Sequence, residues 1–419
     1  MFTFLHAADI HLDSPLRHLS QYEGAPVEAL RGATRAAFQN LVDLALSEPA
    51  DFVLIAGDVY DGDWKDYNTG LWFVSRMTQL ERAGIPVFLV AGNHDAASRM
   101  SKTLRMPANV HTFPANQPDT VRLDRFQVAI HGQSFAAPAV KKNLAAKYPP
   151  PVPGYFNIGL LHTCATGREG HLPYAPCETA DLAAKGYDYW ALGHVHQREV
   201  LSEDPQIVFP GNLQGRHIRE TGPKGCMAVA VNGHGQVRPD FRPLDVIRWA
   251  QAEIDITGAE DGYAVLDILC DRMEGLLEEN GGRPLAVRVI LTGHSPAHDV
   301  LAASPGHWIS QIRAAALDAC SGQIWVEKVK IRSRPPGRSE KISDGPVGEI
   351  LEIFDAVRSD PALLDLLEKS LNDLSRKLPR ELRDGDDGPD PANREWLAGM
   401  VESVRPMLLG RLLSEGGEK

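Results

Sequence analysis

Five apolar runs, each ending abruptly in a cluster of polar residues, constrain the possible folds of this chain more than any other feature. The runs are Phe2 to Ala8, Phe52 to Ala56, Val87 to Ala91, Phe156 to Leu161 and Tyr187 to Leu192. Each is short, apolar and bounded by Gly or polar residues, the pattern of a buried strand. The clusters are Asp9-Ile10-His11, Gly57-Asp58-Val59-Tyr60-Asp61, Gly92-Asn93-His94-Asp95, Leu161-His162-Thr163 and Gly193-His194-Val195-His196. In an α/β fold the loops at the carboxyl ends of neighbouring strands face one crevice, so residues distant in sequence meet there. Gly57, Gly92 and Gly193 fit such loops, because glycine lets the backbone turn sharply and approach a ligand closely.

The clusters supply carboxylate, amide oxygen and imidazole without thiolate. Two neighbouring divalent metals could share such a set for phosphoester hydrolysis, and its softness suits Mn, Fe or Zn better than Mg or Ca. Taken singly the motifs differ in strength. An Asp-x-His pair is equally a hydrogen-bonded structural pair. His162 alone reads more readily as a satisfied core histidine. Three adjacent polar residues directly after a buried strand, as in Asn93-His94-Asp95, are expensive unless they bind something. His194 and His196 occupy alternate positions of an extended segment, so both rings can point into one crevice. The ordered set of five carries the argument.

In that order the motifs resemble those of the calcineurin-like metallophosphoesterases, D-x-H, G-D-x-x-D, G-N-H-D, H and G-H-x-H. Within that superfamily the chain is similar to the DNA repair exonuclease branch, in particular to YhaO-like relatives of SbcD. The finer match lies in the stretches 8–15 and 210–217, and the likeness covers residues 1 to about 245. The resemblance implies an α/β fold, a β-sandwich flanked by helices, with a small α/β cap domain and a C-terminal helical segment. It also implies two divalent ions, Mn foremost, with Fe, Zn or Mg as alternatives. Asp9, His11, Asp58 and His196 would hold one ion, and Asp58, Asn93, His162 and His194 the other, Asp58 bridging. His94 would be the catalytic histidine, stabilising or protonating the leaving oxygen. Asp61 and Asp95 would orient histidines or loops.

At 419 residues the chain should hold two or three domains. The net charge of −12 argues against a protein that coats DNA non-specifically, yet it leaves room for a nuclease with local basic patches. Candidate patches are Arg99 with Lys102 and Arg105, Lys141 with Lys142, and Arg216 with Arg219, which read equally as solvated surface. Five scattered cysteines form neither a disulfide framework nor a zinc pattern. The N-terminus begins with a strand rather than a signal peptide, and no run reaches the ~18 apolar residues of a membrane span. A reducing cytoplasm is the expected compartment.

Residues 1–245 are expected to form the catalytic domain, 246–335 an α/β cap, 336–345 a linker and 346–419 a helical region. The cap reads strand, helix, strand, helix, strand. Its strands are Trp249 to Ile256, Leu285 to Leu291 and Ile324 to Ile331, and its helices are Tyr263 to Leu277 and Trp308 to Ala319. Alternation places Lys328, Lys330, Arg332 and Arg334 on one face, suited either to a nucleic-acid backbone or to protecting a sheet edge. Prolines, glycines and mixed charges from Arg332 to Gly345 read as a linker. Helical patterns follow over Val347 to Val357, Ala362 to Leu378 and Arg394 to Leu413, with a break from Asp384 to Pro391. Leu363, Leu364, Leu367, Leu371, Leu374 and Leu378 form a stripe that either packs within a bundle or meets a partner.

By resemblance, the C-terminal helices would dock an SMC-like coiled-coil ATPase of the SbcC/YhaN type. No G-x-x-x-x-G-K-[ST] loop is present, so any ATP use falls to that partner. Arg216, His217, Lys328, Lys330 and Arg332 are the candidate DNA contacts. Family members commonly form homodimers, for which the helix from Val27 to Leu46 is a candidate. The leading expectation is a metal-dependent DNA phosphodiesterase acting at DNA ends in repair, an exonuclease with endonuclease activity left open. Its alternatives are a phosphoesterase for a smaller substrate and a non-catalytic scaffold, the latter at odds with a complete ligand set. Digestion polarity and preferred DNA end do not follow from these residues.

Overall fold

The computed structural model describes residues 1–14, 27–48, 50–61, 67–97, 104–165, 174–336, 346–378, 390–401, 404 and 408. The chain separates into two compact units, Met1–Ala250 with Arg283–Ala286, and Gln251–Gly282 with Val287–Lys419.

In chain order, the strands of the first unit are β1 (Phe2–Ala7), β2 (Phe52–Ile55), β3 (Val87–Leu89), β4 (Val110–Thr112), β5 (Asp119–Leu123) and β6 (Val128–Gly132). They continue with β7 (Phe156–His162), β8 (Tyr189–Gly193), β9 (Glu199–Glu203), β10 (Gln206–Phe209), β11 (Gly225–Val231) and β12 (Val237–Pro243). Helices α1 (Val27–Ser47), α2 (Tyr67–Arg82), α3 (Asn93–Ala97) and α4 (Thr179–Ala183) complete it. Two six-stranded sheets form, ordered β12-β11-β1-β2-β3-β4 and β5-β6-β7-β8-β10-β9.

The two sheets face each other. Phe2, Phe4, Phe52, Leu54 and Phe88 of one meet Val128, Ile130, Ile158, Leu160 and Tyr189 of the other. Phe4 stacks on Phe52 at 5.1 Å and receives the edge of Tyr189 at 5.2 Å, contacts worth about 0.5–1.5 kcal/mol each beyond area burial. Alternate residues of the same strands, Leu5, Ala7, Val53 and Ile55, pack outward against Phe38, Leu41 and Val42 of α1 and Phe73 and Met77 of α2. Burial on both faces explains why these strands are apolar throughout rather than alternating. The outer face of the second sheet, with Trp190, Leu192, Ile207 and Phe209, is covered by Tyr148, Phe135 and Leu182 of α4.

β1, β2 and β3 run parallel, as do β7 and β8, so the five polar clusters emerge at carboxyl ends of strands. All five expected strands form with shifted limits: the third shortens to Val87–Leu89, and the fifth starts at Tyr189. Tyr187 instead donates its hydroxyl to the Pro149 carbonyl and stacks on Trp190.

The second unit carries most of a three-stranded sheet ordered β13-β14-β15, from β13 (Arg248–Asp255), β14 (Leu285–Thr292) and β15 (Ile324–Ile331). Its helices are α5 (Gly262–Glu279), α6 (Ala297–Ala303), α7 (Pro305–Ala319), α8 (Pro346–Ser359) and α9 (Pro361–Lys377). The strand and helix alternation expected from the sequence is present, with the short α6 added. One expectation needs correction. Residues 332–334 are not linker: Arg332 N donates to the Leu291 carbonyl and Arg334 N to that of Gly293, extending the sheet. Along the basic row, Lys328 and Lys330 are half-buried and Arg332 and Arg334 exposed. Residues 337–345, Arg99, Lys102 and most of the chain after 401 lie outside the described residues. On α9, Leu364 is buried and Leu363, Leu367 and Leu371 half-buried, while Leu366 is 62% exposed.

Candidate metal centre

Four of the eight non-glycine residues with positive φ among the described residues are expected ligands: Asp9, His11, Asp58 and His194. Left-handed backbone costs a non-glycine residue of order 1–3 kcal/mol and collects where function over-determines the chain. Here it turns the chain off β1, β2 and β8 so that the side chains converge. The loop after β1 is tied down by Asp9 N on the Gly57 carbonyl and His11 N on that of Asp58. Asp13, also at positive φ, anchors it to the helices by accepting from Arg35 and Thr69.

The glycines permit close approach. A Cβ on Gly92 would lie 2.2 Å from Asp58 Oδ1, one on Gly57 would lie 2.5 Å from His162 Nδ1, and one on Gly193 would lie 1.9 Å from the Ala56 carbonyl oxygen.

Asp9, His11 and His196 offer ligand atoms within 4.8 Å of one another, as do Asp58, His162 and His194. His11 Nε2 is 3.2 Å from His196 Nε2 and 3.9 Å from Asp58 Oδ2. His162 Nε2 is 3.0 Å from Asn93 Oδ1 and 3.5 Å from Asp58 Oδ2. Asp58 thus stands between two groups, and both its carboxylate and that of Asp9 are fully buried. His194 N donates to both Asp9 oxygens at 3.1 and 2.9 Å, and His94 N donates to Asp58 Oδ1 at 2.9 Å.

The proton inventory fits a cation. His162 Nδ1 lies 2.9 Å from the Ala56 carbonyl, which only accepts, so that nitrogen carries the proton and Nε2 presents a bare lone pair to Asn93 and Asp58. His196 Nδ1 faces the Glu220 carboxylate at 2.7 Å and Arg216 Nη2 at 3.2 Å; the shorter, charge-assisted contact to the carboxylate favours the proton on Nδ1 and leaves Nε2 bare towards His11. Burial pushes His162 down to about 3 and lowers His196 and His11, so these rings stay neutral at pH 7. Burial, reinforced by repulsion from Asp58, raises Asp9 well above the ordinary carboxylate range, and burial raises Asp58. Neutral imidazoles converging with crowded carboxylates whose charge burial opposes are a ready ligand set for divalent ions, whose binding displaces any proton held there.

His94 stands apart from that pattern. Its ring comes within 4.8 Å of His11 and Asp58 groups, yet its Nδ1 is 2.9 Å from Asp61 Oδ1 and its side chain is 39% exposed. Burial opposes its charge, but the Asp61 hydrogen bond overcomes this and raises its pKa. Burial of the half-buried Asp61 opposes its charge, yet His11, His94 and Ser14 hold it well below the usual carboxylate range. Asp95 binds backbone rather than a ring, accepting from Tyr60 N and Gly92 N at 3.0 Å each.

Arg216 reaches the site from the loop after β10: its Nη1 lies 3.4 Å from Ser14 Oγ and its Nη2 3.2 Å from Glu220 Oε1. His217 accepts from Arg219 N, capping a turn. Sequence reasoning missed Glu220 and Ser14. Neither belongs to a strand-end cluster, and Glu220 lies in a loop without periodicity. Lys328, Lys330 and Arg332 belong to the second unit.

The family model for calcineurin-like phosphoesterases matches residues 2–198, and that for the middle domain of metallophosphoesterase YhaO matches 249–334. The chain is 37% identical over 298 residues to a protein of Bacillus subtilis named "Uncharacterized metallophosphoesterase YhaO", covering 70% of this chain and 72% of that one. It is 26% identical to the DNA double-strand break repair protein Mre11 of Methanopyrus kandleri, over 70% of this chain and 65% of that one. With Mre11 of Sulfurisphaera tokodaii the figures are 28% identity, 58% and 62%. The chain is therefore a calcineurin-like metallophosphoesterase carrying the YhaO middle domain.

Proposed function

We propose that this metallophosphoesterase is a DNA phosphodiesterase that cuts at or near DNA ends, with Mn as the working metal. The observation that carries the hydrolytic reading is the convergence of Asp9, His11, Asp58, His162, His194 and His196 around a shared Asp58. When bound, two divalent ions would supply Lewis acidity and an activated water for in-line displacement at phosphorus. Asp9, His11, Asp58 and His196 would hold one, and Asp58, Asn93, His162 and His194 the other.

His94 then has the general-acid role. Its Nδ1 is held by Asp61, which leaves Nε2 to carry the proton given to the leaving oxygen. Arg216, a planar donor beside Ser14, would bind a non-bridging phosphate oxygen. DNA as substrate is supported by the relatives named for double-strand break repair. It is supported as well by the cationic residues Lys328, Lys330 and Arg332 of the middle domain, proposed here as backbone contacts. The alignments span 72%, 65% and 62% of these three relatives, so substrate and partners belong to this proposal. An ATPase docking on α8 and α9 is part of it; Ile353 and Leu366 offer exposed apolar side chains there. The exposed face of α1 is the candidate dimer contact. The proposed compartment is the cytoplasm; all five cysteines are unpaired, and no described helix is long and apolar enough to cross a membrane.

The test is a cleavage assay with Mn, Mg or no metal, on labelled double- and single-stranded DNA alongside p-nitrophenyl phosphate and its bis-ester. Mn-dependent loss of DNA, absent from Asp58→Ala, supports the proposal. Hydrolysis of the small esters with DNA left intact in the presence of the ATPase would replace it with a small-substrate phosphoesterase.

A further inference from the structure

Glu220 is 4% exposed and both of its carboxylate oxygens are occupied. Oε1 takes His196 Nδ1 at 2.7 Å and Arg216 Nη2 at 3.2 Å. Oε2 takes Arg216 N at 2.7 Å and Asn212 Nδ2 at 2.9 Å. One buried anion therefore holds an expected metal ligand, the nearby guanidinium and the loop between them. The loop is pinned further by Asn212 N and Lys224 Nζ on the His196 carbonyl, at 3.4 and 2.8 Å. Gly211 passes so close that a Cβ there would meet the same carbonyl oxygen at 2.9 Å.

The opposite half of the centre is built differently. His162 is oriented by the Ala56 backbone carbonyl, a neutral acceptor that no substitution removes. A carboxylate behind a ligating imidazole fixes its tautomer and raises its basicity more than a carbonyl does.

We propose that Glu220 is a positioning residue that makes the two metal sites unequal, so that losing its charge selectively weakens the ion held by Asp9, His11, Asp58 and His196. The inference rests on the two-metal reading above. Because Glu220 also places Arg216, its loss should raise KM for a phosphodiester as well as weaken that site.

The test is Mn titration of the full chain by equilibrium dialysis, with folding checked by circular dichroism, for the wild type, Glu220→Gln and Asp58→Ala. Expected is two ions on the wild type, and one retained with the other weakened about 10–100-fold on Glu220→Gln. Glu220→Gln binding both ions as the wild type does overturns the inference while leaving the two-metal reading intact. A wild type that binds fewer than two ions removes that reading and this inference with it. Combining the change with His196→Ala separates position from mere folding: Glu220→Gln should then cause no further loss, and an additive loss overturns the route through His196. Nitrogen NMR of histidine-labelled wild type needs no variant. It should find the His196 proton on Nδ1, and a proton on Nε2 overturns the assignment.

Discussion

Asp61 Oδ1 lies 2.9 Å from His94 Nδ1, while the other oxygen of the same carboxylate takes a 2.7 Å hydrogen bond from Ser14 Oγ. The pair fixes a half-exposed imidazole at the edge of a cluster in which His11, His162 and His196 are held neutral by burial. Two histidine classes thus sit side by side, one able to bind a cation and one able to hold a proton.

On the proposed mechanism, His94→Ala should cut phosphodiester cleavage about 100- to 10,000-fold while both metals stay bound, because it would remove an acid and no ligand. Asp58→Ala should lose metal and activity together. Metal content and turnover measured on the same preparations separate the two. A His94→Ala protein that cleaves at the wild-type rate would end the assignment of His94.

The two site glycines should fail in different ways. On Gly92 a new methyl meets the Asp58 carboxylate and the His162 ring, so Gly92→Ala should reduce metal affinity and activity at least tenfold before it disturbs the fold. On Gly193 the methyl meets backbone, and Gly193→Ala should cost about 1–3 kcal/mol of stability. Gly233→Ala, with open space around it, serves as the control and should stay within about 0.5 kcal/mol. Urea unfolding and metal titration of the three variants make the comparison.

Loading the centre should stabilise the protein. Asp9 and Asp58 are buried carboxylates whose charge is opposed by burial, and a bound cation compensates both. At a free metal concentration one hundred times Kd the gain is about 2.7 kcal/mol, or roughly 5–10 °C in Tm. Thermal unfolding with Mn and with a chelator should differ by that margin, and Asp58→Ala should show no difference.

His6 contributes a pH dependence away from the candidate metal ligands. Its Nδ1 is 3.0 Å from the Tyr189 hydroxyl and its Nε2 is 3.1 Å from the Leu192 carbonyl, inside the sandwich. Burial pushes its pKa from 6.5 down to about 3, against the opposing Leu192 bond. The unfolded chain therefore binds a proton that the folded chain refuses, and stability present above pH 6.5 is lost as the pH falls towards 3. This one group should remove about 2 kcal/mol between pH 7 and 5. His6→Gln keeps a donor for Leu192 and should flatten that part of the slope, measured by urea unfolding in the presence of chelator.

The convergent candidate ligands were legible because their signal is local. A strand buried on both faces reads as an unbroken apolar run, and any polar residue directly after it stands out, as at Asp9, Asp58, Asn93 and His194. Parallel pairing of β1, β2 and β3, and of β7 and β8, needs only that pattern to bring the clusters to common edges. Glu220 was not legible. It follows His196 by 24 residues, in a loop held by side chains and single backbone bonds instead of a repeating ladder. The same distinction holds for Lys328 and Lys330: alternation assigned their parity on β15, whereas their half-burial depends on what packs against that strand. Periodicity encodes which face a residue takes. Which distant group completes its hydrogen bonds is decided by how the loops close in three dimensions, since burying a charge such as Glu220 is affordable only where His196, Arg216 and Asn212 arrive together.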